Sequence, residues 1–253
     1  MRVTILGCGT AGGVPRIGND WGACDPQEPR NRRRRASIRV EQGATSVLID
    51  ASPDLRQQAL DAGMDRLDAV LFTHEHADHS HGFDDLRFFN RLTGRPVPVH
   101  ADARTLASLQ DRFAYAFSAG SLYHQIVAGH QIDGPFQVGE LAVTPFRQHH
   151  GPKLDTLGFR CGAFAYSTDV AELPEDAFAV LAGIDTWVVD ALQIRPHITH
   201  AHLEKTLSWI ARVKPRRAVL THMGADLDYR TLRATLPAGI EPAFDGMVIE
   251  VAG

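Results

Sequence analysis

Apolar residues recur along this chain in short runs bounded by Gly, Pro, Asn or Asp. Most runs are too brief for a helix and are rich in β-branched residues. They predict strands over RVTILG (2–7), SIRVEQ (37–42), TSVLIDA (45–51), DAVLFT (68–73) and VPVHA (97–101). The same pattern returns in LAVTPF (141–146), FRCGAFAYST (159–168), TWVVDA (186–191), RAVLTH (217–222) and MVIEVA (247–252). Between the runs the apolar spacing lengthens to that of a helix face, predicting helices over 53–63, 82–94, 102–117, 174–183 and 202–213. The first of these has Pro53 at its front and Gly63 as its stop. Strands that interleave with helices over the whole length predict an α/β class. No internal repeat, low-complexity tract or linker divides the chain, so one domain over 1–253 is expected. Residues 8–36, rich in Gly, Pro, Asn and Arg, follow neither period. A loop of that length inside a compact domain usually serves a function.

Composition narrows the classes. Of 253 residues 44% are hydrophobic, enough to fill a core without a disulfide or metal staple. A net charge of -4, from 26 Lys and Arg against 30 Asp and Glu, argues against bulk capture of duplex nucleic acid. The three cysteines, Cys8, Cys24 and Cys161, form no C-x-x-C pair and suit a reducing compartment. The N-terminus enters a strand without a charged leader, and no apolar run approaches the roughly 18 residues that span a bilayer. A cytoplasmic chain with no membrane partner is expected.

Two stretches could carry chemistry. In GCGTAGG, Gly7, Gly9 and Gly12 fit the spacing of a dinucleotide-binding turn. That turn needs a helix at its third glycine and an acid about 20 residues on. Here GVPRIGNDWG follows, which cannot be a helix, and the first acid ending a strand is Asp50. The glycines, Gly12 and Gly13 among them, instead suit backbone amides brought close to an anion.

The stretch FTHEHADHSHG, residues 72–82, is more specific. His74 and His76 leave a strand two residues apart and project to one side, so both can serve one ion. Asp78 and His79 follow across the strand-to-helix turn and face a second. Completing ligands should also end strands, and His149 or His150, Asp169 and His222 do so. Adjacent strand residues face opposite sides, so one of His149 and His150 reaches the site, and His150 is favoured. A carboxylate can bridge two cations where an imidazole cannot. His74, His76 and His150 are therefore placed on one ion, Asp78, His79 and His222 on the other, and Asp169 between them. Imidazole and carboxylate ligands without thiolate suit zinc or manganese, with iron also compatible. Two such ions, about 3.5–4 Å apart, activate a bridging water and stabilise an in-line displacement. The site's charge favours phosphate esters. Asp50 is either an outer carboxylate orienting a ligand imidazole or a cap for the helix that follows.

HEHADH, the strand-end His and Asp, and the final LTH together resemble the metallo-β-lactamase superfamily. That resemblance implies a four-layer αβ/βα sandwich, two facing sheets with helices outside and metals at one sheet edge. GCGTAGGVP, WGACDP, YSTD and FDGM make the chain similar to PhnP-type phosphodiesterases within it. The resemblance implies hydrolysis of a small or cyclic ribose phosphodiester, with a further histidine near the phosphate that maps onto His200 in ITHAHLEKT. PhnP also holds a structural zinc, and here only Cys24 survives of its cysteines while Ala225 stands at its histidine position. No structural zinc is expected.

The expectation is thus a hydrolase in which Asp78, Asp169 and His200 are catalytic and RNRRRRAS supplies Arg34 or Arg35 to a substrate phosphate. The expected partner is a small phosphate ester, with self-pairing as a homodimer left open. Competing readings are a tRNase Z-like nuclease, which needs a basic or RNA-gripping surface, and a thioester or lactone hydrolase, which needs an acyl pocket.

Overall fold

The computed structural model describes residues 1–118 and 124–252, and its strands form two sheets of seven. The first sheet takes β1 (Arg2–Gly7), β2 (Ser37–Gln42), β3 (Thr45–Ile49), β4 (Ala69–Leu71), β5 (Val97–Ala101) and β6 (Val127–Gln131). The second takes β7 (Phe136–Val138), β8 (Leu141–His149), β9 (Asp155–Cys161), β10 (Phe164–Ser167), β11 (Thr186–Asp190), β12 (Arg217–Thr221) and β13 (Ile240–Pro242). The last strand, β14 (Val248–Glu250), returns to the outside of β1. Each sheet is antiparallel in one half and parallel in the other. The parallel sets are β3 to β6 and β10 to β13.

Parallel neighbours need crossovers, and helices supply them. On the first sheet these are α1 (Leu55–Asp61), α2 (Ala77–Ser80), α3 (Leu86–Thr93), α4 (Ala103–Arg112) and α5 (Ala114–Phe117). On the second they are α6 (Glu175–Leu181), α7 (Leu203–Val213) and α8 (Tyr229–Thr235). The period-2 alternation then has two buried destinations. In β3, Val47 and Ile49 join the core between the sheets while Leu48 joins the layer under the helices. Ala69 and Leu71 divide from Val70 and Phe72 in the same way in and just after β4. The four-layer sandwich with outer helices is the architecture expected.

Differences from the expected elements have local causes. The run 159–168 bends back at Gly162, with φ 56°, so β9 and β10 form a hairpin. The helix expected over 82–94 opens with a 3₁₀ turn, Phe83–Asp85, and the one over 102–117 breaks at Phe113. Unforeseen β6, β7 and β13 are sheet-edge strands with one buried residue each, too few to make a period visible. Helix α8 was missed for the same reason, since it buries only Tyr229 and Leu232. No helix among the described residues is long and apolar enough to cross a membrane.

Candidate metal centre

All parallel strands of one sheet end on the same edge, where backbone runs out and loops diverge. Here the carboxyl ends of β3, β4, β10, β11 and β12 carry Asp50, Thr73 and His74, Asp169, Asp190 and His222. Three of these residues adopt a left-handed backbone, with φ of 64° at Asp50, 53° at Asp169 and 56° at His222. Non-glycine residues enter that region at a cost of about 1–3 kcal/mol, and such strain concentrates where a side chain must be aimed. Beneath the His74–His79 turn, Phe72 packs on Phe83 at 5.8 Å and Phe83 on Phe113 at 4.6 Å, giving it an apolar floor.

Two donor groups share Asp169, and a third, Asp190, His200 and His222, adjoins them through His222. His74, His76, His150 and Asp169 bring one ligand atom each within 4.8 Å of one another, as do Asp78, His79, Asp169 and His222. Nε2 of His74 and of His150 each lie 3.7 Å from Asp169 Oδ2. Nε2 of His79 and of His222 face the other oxygen, Oδ1, at 3.0 and 3.4 Å. His79 and His222 also approach Asp78 Oδ2 at 3.2 and 3.5 Å.

The far sides of three of these rings are held. Thr73 donates its hydroxyl to Asp50 Oδ2 at 2.8 Å and sits 2.9 Å from His74 Nδ1. His79 Nδ1 lies 2.7 Å from the same Asp50 oxygen. His150 Nδ1 donates to the Thr199 carbonyl at 2.6 Å. A carbonyl can only accept, so the proton is on Nδ1 and the Nε2 lone pair faces the centre. Asp50 is fully buried and caps nothing in α1, whose first residues it does not touch with its side chain; it orients His79 directly and His74 through Thr73. Nε2 of His74, His79 and His222 is buried with no hydrogen-bond partner among the described residues. Buried Nε2 atoms without a partner that converge on a shared carboxylate are what a cation would satisfy, so the residues present fit a metal.

Electrostatics agrees. Burial pushes the His74 ring well below its ordinary range, keeping it neutral. Burial opposes charge on His79 too, but Asp169, Asp78 and Asp50 hold its proton well above that range. Burial likewise opposes the Asp169 charge and is overcome by His222 and His79, which hold that carboxyl well below its usual range. Carboxylates that hold a proton on the buried His79 ring against the cost of burial would favour a cation in the same place.

His200 stands at the rim. Its Nε2 is 3.8 Å from Asp169 Oδ2 and its Nδ1 is 2.9 Å from Asp190 Oδ2. Burial pulls its pKa down, yet the Asp190 and Asp169 carboxylates raise it to about 9. Asp190 was not foreseen. It is fully buried, accepts from Val170 N at 3.1 Å, and its other oxygen is 3.9 Å from His222 Nδ1. The available signal was a third strand ending in Asp, TWVVD, beside TSVLID and FAYSTD. Thr73, Thr199 and Lys153 were also passed over, and Lys153 lines the cavity of about 440 Å³ above His76, Asp78, His150, His200 and His222.

Other expected contacts are not brought there. Arg34 is held by Asp61 at 2.7 Å and Asp245 at 3.1 Å, and Arg35 by Asp54 at 3.2 Å. Neither lines the cavity over the histidines, because neighbouring carboxylates already satisfy both guanidinium groups. The amides of Gly12 and Gly13 donate to Thr10, at 3.2 and 2.8 Å, so they close the loop rather than point at an anion. Gly7 and Gly9 instead allow close packing, since a Cβ there would meet Arg35 O at 2.1 Å and Arg33 Cβ at 2.9 Å. His149 is half-exposed and pairs with Asp155 at 2.7 Å, while His81 packs on Phe113. Cys24 and Ala225 pack with Val14, and the buried Arg33 beside them donates to the carbonyls of Gly224 at 3.0 Å and Leu227 at 2.6 Å.

The family model described as the beta-lactamase superfamily domain matches residues 45–223. A Porphyromonas gingivalis protein named octanoyltransferase is 36% identical over 98% of this chain but only 51% of its own length. The chain spans about half the length of the curated relatives it matches. A solved structure described as a new diphosphatase from the PhnP family is 36% identical, with a TM-score of 0.92 over 99% of this chain and 98% of that one. Zn²⁺-bound PqqB from Methylobacterium extorquens shares the fold, at 23% identity and a TM-score of 0.77 over 99% of this chain and 100% of that one.

Proposed function

The chain belongs to the beta-lactamase superfamily, and from that premise we propose that it is a two-metal hydrolase that cleaves the phosphodiester bond of a small phosphate ester. The observation that carries this reading is the convergence of partnerless Nε2 atoms on the two oxygens of Asp169. His74, His76 and His150 would hold one ion, Asp78, His79 and His222 the other, and Asp169 both; zinc, manganese and iron all suit these donors. When bound, such a pair supplies a water acidic enough to attack near neutral pH and positive charge for the phosphoryl oxygens.

The chain's own groups do the rest. Asp50, Thr73 and the Thr199 carbonyl fix the imidazoles of His79, His74 and His150 with Nε2 inward. His200, protonated at neutral pH and oriented by Asp190, faces the centre and can pass its proton to the leaving oxygen. Lys153 at the cavity mouth offers a cation to the ester's negative charge. The solved relative described as a diphosphatase, similar over the whole chain, supports a phosphate over an acyl substrate.

The test is turnover of bis(p-nitrophenyl) phosphate by protein stripped with a chelator and reloaded with Mn²⁺ or Zn²⁺. The reading expects activity that returns with metal; none with any divalent ion rules it out. One observation favours a thioester or lactone hydrolase as a second reading, the relative named octanoyltransferase. An octanoyl thioester and a phosphodiester assayed side by side separate the two.

A further inference from the structure

Two grooves lie along the loops that line the cavity over the histidines. One, of about 660 Å³, lies between Thr10–Gly13, Leu192–Arg195 and Gly224–Asp226. The central cavity is lined from the same three loops but by other residues, Ala11 in the first, Thr199 and His200 in the second and His222 in the third, and it shares no lining residue with this groove. The groove and the cavity are therefore two sides of one set of loops. The other groove, of about 560 Å³, is bounded by Asp102–Arg104, Arg147 and Gly151–Asp155, and it shares Pro152, Lys153 and Leu154 with the cavity.

The two grooves share no lining residue with each other. The first is lined by Gly224, two residues past His222, which faces Asp169 Oδ1, and the second by Gly151, next to His150, which faces Oδ2. Each carries cations. Arg16 and Arg195 line the first, with Arg16 paired to Asp20 at 2.6 Å and Asp226 as the one acid lining it; Arg104, Arg147 and Lys153 line the second beside Asp102 and Asp155. Arg104 is occupied by Glu75, which leaves Lys153 as the lysine common to groove and centre.

In-line displacement at phosphorus sends the leaving arm to one side and keeps the other substituent elsewhere, so a diester with two bulky arms needs two grooves. A cyclic or terminal ester needs none. Resting on the phosphodiester reading above, we propose that the two grooves form one trough for a dinucleotide joined through phosphate, one nucleoside arm in each, with Arg195 and Lys153 contacting the arms. Each groove has the volume of a small-molecule pocket, which runs from about 300 to 1,000 Å³. Hydrolysis in this trough adds one water: its oxygen bonds to phosphorus, the bond from phosphorus to the leaving arm breaks, and the proton goes to the departing oxygen.

The test is calorimetric binding, by the metal-loaded protein, of the methylene-bridged analogue of 5′,5′-diadenosine diphosphate, whose bridge water cannot cleave, with AMP as the one-armed control. One analogue should bind per chain, at least about tenfold tighter than AMP, since a second arm adds its own contacts without a second loss of freedom. Arg195→Ser and Lys153→Ser should each weaken the analogue by about three- to tenfold, and the double variant should bind it no better than AMP. An analogue no tighter than AMP, or variants that bind it like the parent, overturns the trough. Tight analogue binding without turnover of any phosphodiester upholds the trough and overturns the hydrolytic reading. Turnover of bis(p-nitrophenyl) phosphate with no advantage for the analogue overturns the trough alone.

Discussion

Two short stretches of this chain are crowded with functional side chains, FTHEHADHSHG and RNRRRRAS, and the fold treats them in opposite ways. The histidines leave β4 at the sheet edge where β3, β10, β11 and β12 also end, so their directions are set by strands before any loop is placed. His74, His76 and His79 converge on Asp169. The arginines lie on a loop that runs beside β1, and two of them pair with acids: Asp61 and Asp245 for Arg34, Asp54 for Arg35. Short rigid side chains on strand ends make a site. Long flexible ones on a loop satisfy themselves locally, and Arg33 is the extreme case, buried and bound to main-chain carbonyls of the loop after His222.

The contrast can be broken from its histidine side first. Asp169→Asn removes the charge shared by both donor groups, and turnover with saturating metal should fall by about 10³-fold or more, read together with metal content. His200→Asn should lower kcat by about 10²–10⁴-fold while metal content stays at the parent level, which separates a proton donor from a ligand. The sign of its pH dependence follows from Asp190. With the proton retained up to about 9 despite burial, the rate should hold through neutral pH and fall as pH rises through that value. Asp190→Asn should shift this alkaline limb to lower pH, and an unmoved limb would detach Asp190 from the proton. Asp50→Asn should weaken metal binding by about 10- to 100-fold through His79 and His74, measured by chelator competition.

The arginine side should give smaller effects of a different kind. Arg33→Met leaves the Gly224 and Leu227 carbonyls without their donor and should cost about 1–3 kcal/mol in denaturant melts. Arg35→Ala should cost about 1 kcal/mol or less, because its pair with Asp54 is partly exposed, and kcat/KM should stay within about twofold. A tenfold rise in KM there would return Arg35 to the substrate.

The same contrast governs what could be read in advance. Two-residue spacing at a strand end was enough to pair His74 with His76, and alternation was enough to favour His150 over His149, because both follow from strand geometry. The structure puts His150 beside His74 and turns His149 to Asp155. Asp190 and Thr199 escaped notice because their roles arise only where β11 and the loop after it come up against His200 and His150. The central strands were legible from their double-sided burial, while the edge strands β6, β7 and β13 bury too little to leave a pattern. The arginine run misled because charge density shows in a sequence and the acids that neutralise it, Asp54, Asp61 and Asp245, are remote from it.

The most direct test of the central claim is anomalous diffraction from crystals of the protein grown with manganese or zinc. Two peaks, one among His74, His76 and His150 and one among Asp78, His79 and His222, with Asp169 between them, are the predicted result. A single peak at full loading, or ions bound away from these residues, would contradict it.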